Sequence, residues 1–442
     1  MKNLPKGPRY GLWHMLGDPY DATLGFQRKY GDPFMYSSLG VKFFITGNPE
    51  GIKAIMTADP DTFEPPFGDS LGVFLGQSSL FMMSGPRHRA ARKLLTPPFH
   101  GARMRAYGTL MRDTTLRWIS GWEPGRRFVM QDTTQAITLD IIIEAVFGVS
   151  GAERIRRFHD SMVSTVASFS PLIVMFKFLR RNFCGLGPWA RFAHQYSALR
   201  QLVFDEIAAH RAAPEGRQDI LSLLILARYE DGGGLSDQEI FEHLLTLLMA
   251  GHETTALALA WACYFLHRNP EALARLRAEL STVGLGPGAR PQDAEPEAIA
   301  KLPYLEAVCQ ECLRLRPLPV VSRKLARPLT VLDYELPAGM LLGAGAYLVH
   351  MNPDIYAEPE KFRPERFLDR NYSPFEYLPF GGGARRCIGA AFAMYEMKIV
   401  LATMLATSRL ELAEKKPVKS VMRAATVGPK GGVRMVLAER LG

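Results

Sequence analysis

The most constraining feature of this chain is a cysteine at the end of a glycine-rich loop. The loop reads Phe-Gly-Gly-Gly-Ala-Arg-Arg-Cys-Ile-Gly from Phe380 to Gly389 and runs directly into a long apolar helical pattern. The glycines let the backbone approach the sulfur of Cys387 closely, and the free N–H groups at a helix start stabilise a thiolate. This loop can therefore hold haem iron through a thiolate, a ligand that favours cleavage of the O–O bond of bound dioxygen.

The loop also matches a known pattern at five positions. Written as Phe-x-x-Gly-x-Arg-x-Cys-x-Gly, it resembles the haem-binding signature of the cytochrome P-450 superfamily. From average residue frequencies, a chance match in such a chain has a probability on the order of one in ten thousand. The resemblance implies haem b (iron protoporphyrin IX) as cofactor, Cys387 as its metal ligand, and Phe380, Arg385 and Gly389 as cofactor-binding residues. The alternative is a buried structural cysteine beside a glycine turn.

The resemblance spans essentially the whole chain and implies a mainly α fold with a minor β region. This is the cytochrome P-450 fold, a triangular helix-rich prism around a buried haem. Hydrophobic periodicity agrees, because it predicts a β-hairpin at 34–46, a helix at 50–57 and short strands at 318–347. Further helices are predicted at 87–95, 104–122, 133–146, 199–210, 236–267, 270–281 and 388–405.

The chain is expected to form one catalytic domain over residues 1–442. Its β-containing parts are expected at about 30–60 and 318–350 and in C-terminal strands, with helices in the remainder. The stretch after Cys387 is too short for a fused reductase module, so we expect electrons from a separate protein. The protein is expected to be a monomer.

Composition indicates a globular protein with a basic surface. The chain has 442 residues, 47% of them hydrophobic, and a formal net charge of +9. Such a charge suits nucleic acid, an anionic membrane or an acidic protein, or is simply a solvated surface. We predict no nucleic-acid partner, because no nucleic-acid-binding motif is present. The five cysteines lack a disulfide pattern, which fits a reducing cytosol, and Cys309 and Cys312 are read as ordinary helix residues.

The N-terminal sequence contains no apolar run for a signal peptide or a membrane anchor. Microsomal members of the resembled family usually begin with a membrane helix. We therefore expect a soluble, cytoplasmic protein of the bacterial type, although a truncation at a proline-rich hinge would look the same.

An acid and an alcohol interrupt the apolar pattern of the 244–266 stretch. Glu253 and Thr254 follow a glycine in the middle of this predicted helix, where charge and glycine are unfavourable unless they are used. The segment resembles the family's oxygen-activation groove, which implies that Glu253 relays protons and that Thr254 supports activation of bound dioxygen. Cleaving dioxygen to water requires two protons, and an acid beside an alcohol can deliver them. The alternative is an amphipathic helix whose Glu253 and Thr254 face solvent.

A Glu-x-x-Arg pair lies about seventy residues before the cysteine. Alone it means little, because such pairs are common on exposed helix faces. Arg366 follows in a Pro-Glu-Arg-Phe segment, and this order resembles the family. The resemblance implies that Glu311, Arg314 and Arg366 form a buried ion network that supports the cysteine loop, with a structural rather than a catalytic role.

The two propionate groups of haem need cationic partners. His88 and Arg92 lie one turn apart at the start of a predicted helix, in a His-x-x-x-Arg arrangement that many soluble family members share. Arg323 and Arg385 also match propionate-binding positions of the family, and arginine suits bidentate carboxylate binding. For each residue taken alone, a solvated surface charge is the alternative.

Substrate contacts are the least legible part of the sequence. Aromatic residues and methionines in the variable stretches indicate a large, apolar and adaptable pocket, although each could equally belong to the core. By resemblance, the candidate pocket residues are Phe67, Phe74, Phe81, Ala250, Val320, Val321 and Thr426. No cluster of charges marks an ionic substrate, so terpenoids, steroids, fatty acids and similar lipophilic molecules are favoured.

Together these features predict a haem-thiolate monooxygenase that hydroxylates or epoxidises a lipophilic substrate. A ferredoxin or flavodoxin with its reductase, drawing on NAD(P)H, is expected to supply electrons and to dock on basic residues near Cys387. One alternative is a peroxide-driven or rearranging haem-thiolate enzyme, a kind that generally lacks such an acid and alcohol pair, so the presence of Glu253 and Thr254 argues against it. Another is a haem-based sensor or ligand-binding protein.

Overall fold

The computed structural model describes most of the chain. The described residues are 4–8, 17–38, 41–66, 68–99, 103–149, 151–169, 173, 177–181, 185–213, 217, 219–286, 288–318, 322–423 and 426–441. They form two compact units. The first comprises Met1–Pro66, Met104–Ile137 and Thr254–Gly442, and the second comprises Phe67–Arg103 and Thr138–Glu253.

Helices make up most of the described chain. In the first half they are Pro19–Tyr30, Pro49–Thr57, Gly68–Leu75, Gly85–Leu95, Arg103–Ile119, Met130–Phe147, Ala152–Ser168, Pro188–Ala212 and Ile220–Leu226. In the second half they are Asp237–Arg268, Pro270–Ser281, Pro296–Ala300, Pro303–Leu315, Ala346–His350, Arg366–Asp369 and Ala390–Thr407. We call Asp237–Arg268 the long helix, Pro303–Leu315 the Glu311 helix and Ala390–Thr407 the cysteine helix.

Helix starts follow from local sequence. Pro49 occupies the first turn of its helix, where a missing N–H has no cost, and Asn48 precedes it as the N-cap. The Asn48 side-chain oxygen accepts hydrogen bonds from the backbone N–H groups of Glu50 and Gly51, at 2.9 and 3.2 Å. Proline also opens the helices that begin at Pro188, Pro270 and Pro303.

The strands of the described chain all lie in the first unit. They are β1 (Phe34–Ser38), β2 (Val41–Thr46), β3 (Phe63–Glu64), β4 (Arg127–Val129), β5 (Ser322–Leu325), β6 (Leu329–Val331), β7 (Tyr334–Leu336), β8 (Leu341–Ala344), β9 (Ser408–Leu412), β10 (Ser420–Arg423), β11 (Thr426–Pro429) and β12 (Arg434–Arg440). The largest sheet has the order β1-β2-β8-β5-β3. Its pairs are antiparallel except for β2 and β8, which run parallel with Ile45 opposite Gly343. The other sheets have the orders β4-β12-β9, β10-β11 and β6-β7.

The core of the first unit includes the packing of this sheet against the Pro49–Thr57 helix. Phe44, Ile55 and Leu342 are fully buried in one apolar cluster, and Ile52 and Val349 belong to a second cluster. Because Ile52 and Ile55 lie on one face of the helix, a single helix joins both clusters. This helix then contacts the cysteine loop, as described below.

The second unit is helical and has an aromatic cluster in its core. Phe74 packs between Phe169 and Phe192, with ring centroids 4.5 and 5.7 Å away. Phe192 also contacts Trp189 and Tyr196, at 5.7 and 5.5 Å. These contacts fix the Gly68–Leu75 and Pro188–Ala212 helices against each other.

Among the described residues, two helices are long and apolar enough to cross a membrane, judged by length and composition alone. They are the long helix and the cysteine helix, and 67% and 72% of their apolar windows are buried inside the protein. The bent pair formed by Met130–Phe147 and Ala152–Ser168 would pass the same test if it were read as one span.

Candidate active site

Cys387 differs in its surroundings from the other described cysteines. It is exposed, whereas Cys263, Cys309 and Cys312 are buried. Burial raises the pKa of Cys263 and of Cys309 to about 12, and it raises the pKa of Cys312 well above the ordinary thiol range, so these thiols stay protonated. The Cys387 backbone N–H donates to the Phe380 carbonyl oxygen at 2.9 Å and closes the loop. An accessible sulfur on a closed loop suits a metal ligand.

Gly383 and Gly389 of the cysteine loop differ in backbone conformation and in the space around them. Gly383 has a φ of +63°, and a Cβ there would overlap the backbone oxygen of Met56 in the Pro49–Thr57 helix. Gly389 has an ordinary φ of −88°, and a Cβ there would meet nothing within 4 Å. Protein packing therefore requires Gly383, whereas the free space at Gly389 fits the close approach of a bound group.

Two guanidinium groups lie near each other beside the cysteine loop. Burial and the positive charge of Arg385 lower the pKa of Arg323 to about 10. Arg323 donates to the Ser322 and Gly382 carbonyl oxygens, at 3.1 and 3.5 Å, and no carboxylate pairs with it among the described residues. Like charges at low dielectric call for an anion. The two propionates of haem b supply such anions, so these residues fit that cofactor.

Glu311, Arg314 and Arg366 are brought together by the structure in the first unit. Arg314 donates through Nε and Nη2 to the two carboxylate oxygens of Glu311, at 2.6 and 2.8 Å. Arg366 Nε donates to Glu311 Oε1 at 3.1 Å. Glu311 and Arg314 are completely buried, and such charges are stable only when they are fully paired.

His350 connects this network to the cysteine loop, a link that sequence reasoning missed. The Leu378 N–H donates to His350 Nε2 at 3.1 Å, so His350 Nδ1 carries the proton and donates to the Arg314 carbonyl oxygen at 3.0 Å. Burial and the Arg314 charge lower the pKa of His350 to about 3, which keeps the ring neutral. Leu378 lies two residues before Phe380, where the loop begins.

The acid and the alcohol lie in an accessible part of an otherwise buried helix. From Ile240 to Leu266 the long helix is buried except at residues 249–254, which include Glu253 and Thr254. Ala250 is exposed there, and the helix continues without a break through Glu253 and Thr254. Solvent or a ligand can therefore reach these two side chains, whereas the flanking turns are closed.

Two threonines of the Met130–Phe147 helix bind carbonyls of the long helix, one within this accessible segment and one just after it. Thr138 Oγ1 donates to the His252 carbonyl oxygen, and Thr134 Oγ1 donates to that of Ala256, both at 2.9 Å. These bonds satisfy two backbone carbonyl oxygens of the long helix in and next to its accessible segment. In the sequence, the only hint of this contact is that the two threonines are four positions apart and so share one helix face. Threonine is too common in helices for that spacing to predict a contact.

The remaining predicted site residues are placed as follows. His88 is buried and Arg92 is half-buried on the Gly85–Leu95 helix of the second unit, one turn apart. Among the candidate pocket residues, Phe74 is buried in the aromatic cluster, Phe81 is 54% exposed, and Thr426 is buried in β11. Three further candidates, Phe67, Val320 and Val321, lie outside the described residues.

Comparison with known proteins agrees with this geometry. The family model described as Cytochrome P450 matches residues 3–433. Cytochrome P450 138 of Mycobacterium tuberculosis (strain CDC 1551 / Oshkosh) is 32% identical over 94% of this chain and 91% of its own length. Cytochrome P450 137 of the same strain is 34% identical over 87% of this chain and 78% of its own length.

Solved structures show the same fold. The retinoic acid-bound cyanobacterial CYP120A1 has a TM-score of 0.83 and 25% identity, covering 99% of this chain and 100% of its own. The haem domain of cytochrome P450DA has a TM-score of 0.86 at 22% identity, covering 99% and 97%. The predicted superfamily and the predicted helix-rich fold are confirmed, and the family implies haem held by a cysteine thiolate. The chain belongs to the cytochrome P450 family of haem-thiolate monooxygenases.

Proposed function

We propose that Cys387 is the thiolate ligand of haem b and that Glu253 and Thr254 manage protons during oxidation of a lipophilic substrate. Bound haem supplies dioxygen activation at its iron. Glu253 would bring protons in from solvent, and the Thr254 hydroxyl beside it would hold and pass on a proton within the site. Arg323 and Arg385 would bind the propionates, His88 and Arg92 are proposed for the same role, and the Glu311 network would hold the cysteine loop in position.

The observation that carries this proposal is the accessible segment of the long helix. Between Ile240 and Leu266 the long helix is accessible only at residues 249–254, where an acid precedes an alcohol. Such an opening would admit a small ligand and protons from solvent. An exposed pair on an amphipathic helix would instead repeat with the helical period. The burial pattern therefore favours proton delivery over the reading in which both residues merely face solvent.

The proposed substrate is a lipophilic small molecule. One support is the sequence itself, since its variable stretches are rich in aromatic residues and methionines and carry no cluster of charges. A second support is the similar structure CYP120A1, which was solved with retinoic acid bound. An extended apolar molecule with one polar end is therefore the first candidate to test.

Electrons are proposed to come from NAD(P)H through a reductase and an acidic ferredoxin or flavodoxin. Exposed Arg386 lies directly beside Cys387, and a net charge of +9 favours an acidic carrier. A requirement for such a carrier would distinguish this function from the peroxide-driven alternative, which turns over with peroxide alone.

The decisive experiment is Thr254→Ala with a surrogate ferredoxin, its reductase and NADPH. We expect normal haem content and substrate affinity, while product per NADPH falls about tenfold and hydrogen peroxide rises correspondingly, because the proton route is cut. Thr246→Ala is the matched control, since within the described part of the chain the Thr246 hydroxyl bonds only the Glu242 carbonyl, one turn earlier on the same helix. Full coupling in Thr254→Ala would refute the proton role.

Substrate class is tested by spectral titration of the ferric holoprotein. Retinoids, fatty acids, steroids and terpenoids form the lipophilic panel, and sugars and nucleosides of similar size serve as polar controls. We expect the Soret band to shift to shorter wavelength only with members of the lipophilic panel, because they displace water from the site. A response limited to the polar compounds would overturn the proposed substrate class.

A further inference from the structure

A buried histidine of the second unit lies among four charged side chains. His210 is in the last turn of the Pro188–Ala212 helix, with 1% of its surface exposed. Glu206 lies one turn earlier on the same helix, and Asp219 is the N-cap of the Ile220–Leu226 helix. The two cations are Arg154, from the Ala152–Ser168 helix, and Arg217. The proposed oxidation chemistry does not use this group, which we call the His210 cluster.

The first ring nitrogen of His210 has one fixed role. Nδ1 lies 2.8 Å from the Glu206 carbonyl oxygen, which can only accept a hydrogen bond, so Nδ1 carries a proton. The Glu206 carboxylate lies 3.9 Å from the same nitrogen. Its Oε1 accepts from Arg154 Nη2 at 2.5 Å, and its buried Oε2 has no hydrogen-bond partner among the described residues. This side of the ring therefore serves a neutral and a charged imidazole equally well.

The second ring nitrogen has two possible partners, which require opposite forms of the ring. Arg217 Nη1 lies 3.0 Å from Nε2 and can only donate, so this contact needs an unprotonated Nε2 and a neutral ring. Asp219 Oδ1 lies 3.4 Å from the same nitrogen, and a carboxylate can only accept, so this contact needs a protonated Nε2 and a charged ring. Nε2 of His210 cannot satisfy both partners at once.

Asp219 is held in its ionised form. Burial alone would raise the pKa of Asp219, but hydrogen bonds from His210 and Ser222 outweigh it and lower that pKa below its ordinary value. The Ser222 N–H donates to Asp219 Oδ1 at 2.8 Å, and the Ser222 hydroxyl donates to Oδ2 at 3.0 Å. An acceptor for a protonated ring is therefore present throughout the pH range in which histidine titrates.

Charge balance decides which partner Nε2 takes. While the ring is neutral, the two carboxylates of the His210 cluster offset its two guanidinium groups. A proton on the ring adds a third positive charge at a buried place, where an unbalanced charge is unfavourable. Arg217 is exposed and can move into water, whereas Arg154 is bonded directly to Glu206. Arg217 is therefore the cation that leaves.

We propose that His210 is an acid-sensitive switch at the end of the Pro188–Ala212 helix. When the ring takes up a proton from solvent at Nε2, this nitrogen exchanges Arg217 for Asp219, and the Arg217 side chain moves into solvent. Because an ordinary imidazole titrates near pH 6.5, the exchange takes place between about pH 7.5 and 5.5.

Release of Arg217 loosens the end of the helix. Arg217 Nε donates to the Ala213 carbonyl oxygen at 3.0 Å, and the Ala213 N–H donates to the Ala209 carbonyl oxygen at 3.2 Å. Arg217 thus satisfies a carbonyl at the helix C-terminus and places a positive charge where the helix dipole favours one. Without it, the backbone of residues 211–213 opens more often in acid, while the charged His210 ring binds Asp219 more tightly.

The test is hydrogen–deuterium exchange of the holoprotein at about pH 7.5 and 5.5, corrected for the intrinsic pH dependence of exchange. We expect the protection of residues 211–213 to fall about tenfold, because one pH unit below its titration point a histidine is protonated about ten to one. His210→Gln should abolish this pH response, since glutamine offers a donor and an acceptor but does not titrate. Equal protection of the unchanged protein at both pH values would overturn the proposal.

Variants of the two partners separate their roles. Arg217→Gln should leave residues 211–213 weakly protected at both pH values. Asp219→Asn keeps an N-cap but removes the charge that receives the protonated ring, so the fall in protection should move about one pH unit lower.

Arg211→Gln is the matched control. Arg211 lies next to His210 in the same turn, but its side chain hydrogen-bonds Asp237. This variant should keep the full pH response. A response that survives His210→Gln, or one that is lost equally in Arg211→Gln, would contradict the switch.

Ring ¹⁵N shifts of protein labelled at histidine give a second readout. His210 should be a neutral ring protonated at Nδ1 at about pH 7.5 and an imidazolium at about pH 5.5. His210→Gln identifies its signals, and His210→Asn replaces that variant if it does not fold. A ring that stays neutral, or stays charged, at both pH values would refute the exchange of partners.

Discussion

Glu396 is a buried carboxyl whose surroundings favour its protonated form. It lies on the cysteine helix with 1% of its surface exposed, and its Oε1 has no hydrogen-bond partner among the described residues. Burial raises the pKa of Glu396 well above its ordinary value, and a hydrogen bond with Thr255 offsets this only in part. Burial therefore favours the protonated, uncharged form of Glu396, which lies beside Thr255, the residue that follows Thr254.

Glu396→Gln should change how stability depends on pH. A carboxyl whose pKa is raised in the folded state keeps a proton that the unfolded chain releases above about pH 4.5. The unchanged protein therefore loses stability as pH rises from 4.5 towards the folded-state pKa, by up to about 1.4 kcal/mol per pH unit, whereas glutamine does not titrate. Thermal unfolding of both proteins from pH 5 to 8 should show that the stability of Glu396→Gln rises relative to that of the unchanged protein as the pH increases.

Two checks accompany that experiment. The infrared band of a protonated carboxyl should be present in the unchanged protein and absent from Glu396→Gln. A stability difference that stays constant with pH would mean that Glu396 is ionised when folded. Glutamine is neutral and has nearly the same shape as glutamic acid, so a difference in stability between the two proteins does not come from lost packing.

Two glycines of the cysteine loop should respond differently to the same added methyl. Gly383→Ala should destabilise the protein with or without haem, by about 2 kcal/mol or more, because its φ is positive and Met56 blocks the Cβ. Gly389→Ala should leave the haem-free fold intact, since its φ is ordinary, and should weaken haem binding. Unfolding of the haem-free protein and haem titration separate the effects; equal haem affinity in Gly389→Ala and its parent would contradict the reading of Gly389.

At the scale of elements, the Glu311 helix is joined to the cysteine loop by hydrogen bonds rather than by apolar packing alone. Glu311 Oε1 also accepts the Arg363 N–H at 2.9 Å, and Arg314 Nη1 donates to the His350 carbonyl oxygen at 2.7 Å. His350 then reaches Leu378. Removal of one member therefore leaves several buried groups unpaired at once.

Arg314→Lys should be strongly destabilising, by about 3–5 kcal/mol, because lysine cannot reproduce a buried bidentate pair together with a bond to a carbonyl. The matched control is Arg211→Lys. Arg211 also donates through Nε and Nη2 to one carboxylate, that of Asp237, but its side chain is 42% exposed. That change should cost less than about 1 kcal/mol. Unfolding midpoints measure both, and similar losses would refute a burial-dependent role.

The sequence indicated those parts of the site that depend on adjacent residues. Cys387 and its loop, the Glu253–Thr254 pair and Glu311–Arg314 are local patterns whose spacing carries the information. His350 could not be found in this way, because its two partners lie 36 and 28 positions away and only the fold brings them together. The buried state of Glu396 likewise depends on packing that no local pattern records.

Element boundaries show the same limit. The helix predicted at 199–210 is longer in the structure, where it spans Pro188–Ala212. Its first part carries Trp189, Phe192 and Tyr196 at helical spacing, but these aromatic residues read equally well as an irregular apolar segment. Their contacts with Phe74 in the aromatic cluster select the helix. The 270–281 helix, opened by proline, was predicted at its observed bounds because its signals are local.

At the scale of the whole molecule, buried histidines make the protein sensitive to acid. Burial lowers the pKa of His243 to about 4 and that of His350, with help from Arg314, to about 3. Both rings are neutral in the folded protein and take up protons when it unfolds below about pH 6.5. Their contribution to stability is therefore present above pH 6.5 and is lost as pH falls towards the folded-state values.

His243→Leu isolates one of these contributions without breaking a known bond. Neither ring nitrogen of His243 has a hydrogen-bond partner among the described residues, so an apolar side chain should be tolerated at pH 7.5. Between pH 6.5 and 4.5 the parent should lose up to about 1.4 kcal/mol per pH unit more than the variant. The sign is opposite to that expected for Glu396→Gln, whose advantage grows as pH rises. If thermal unfolding gave parallel pH profiles for His243→Leu and its parent, His243 would have to be charged, or solvated, inside the folded protein.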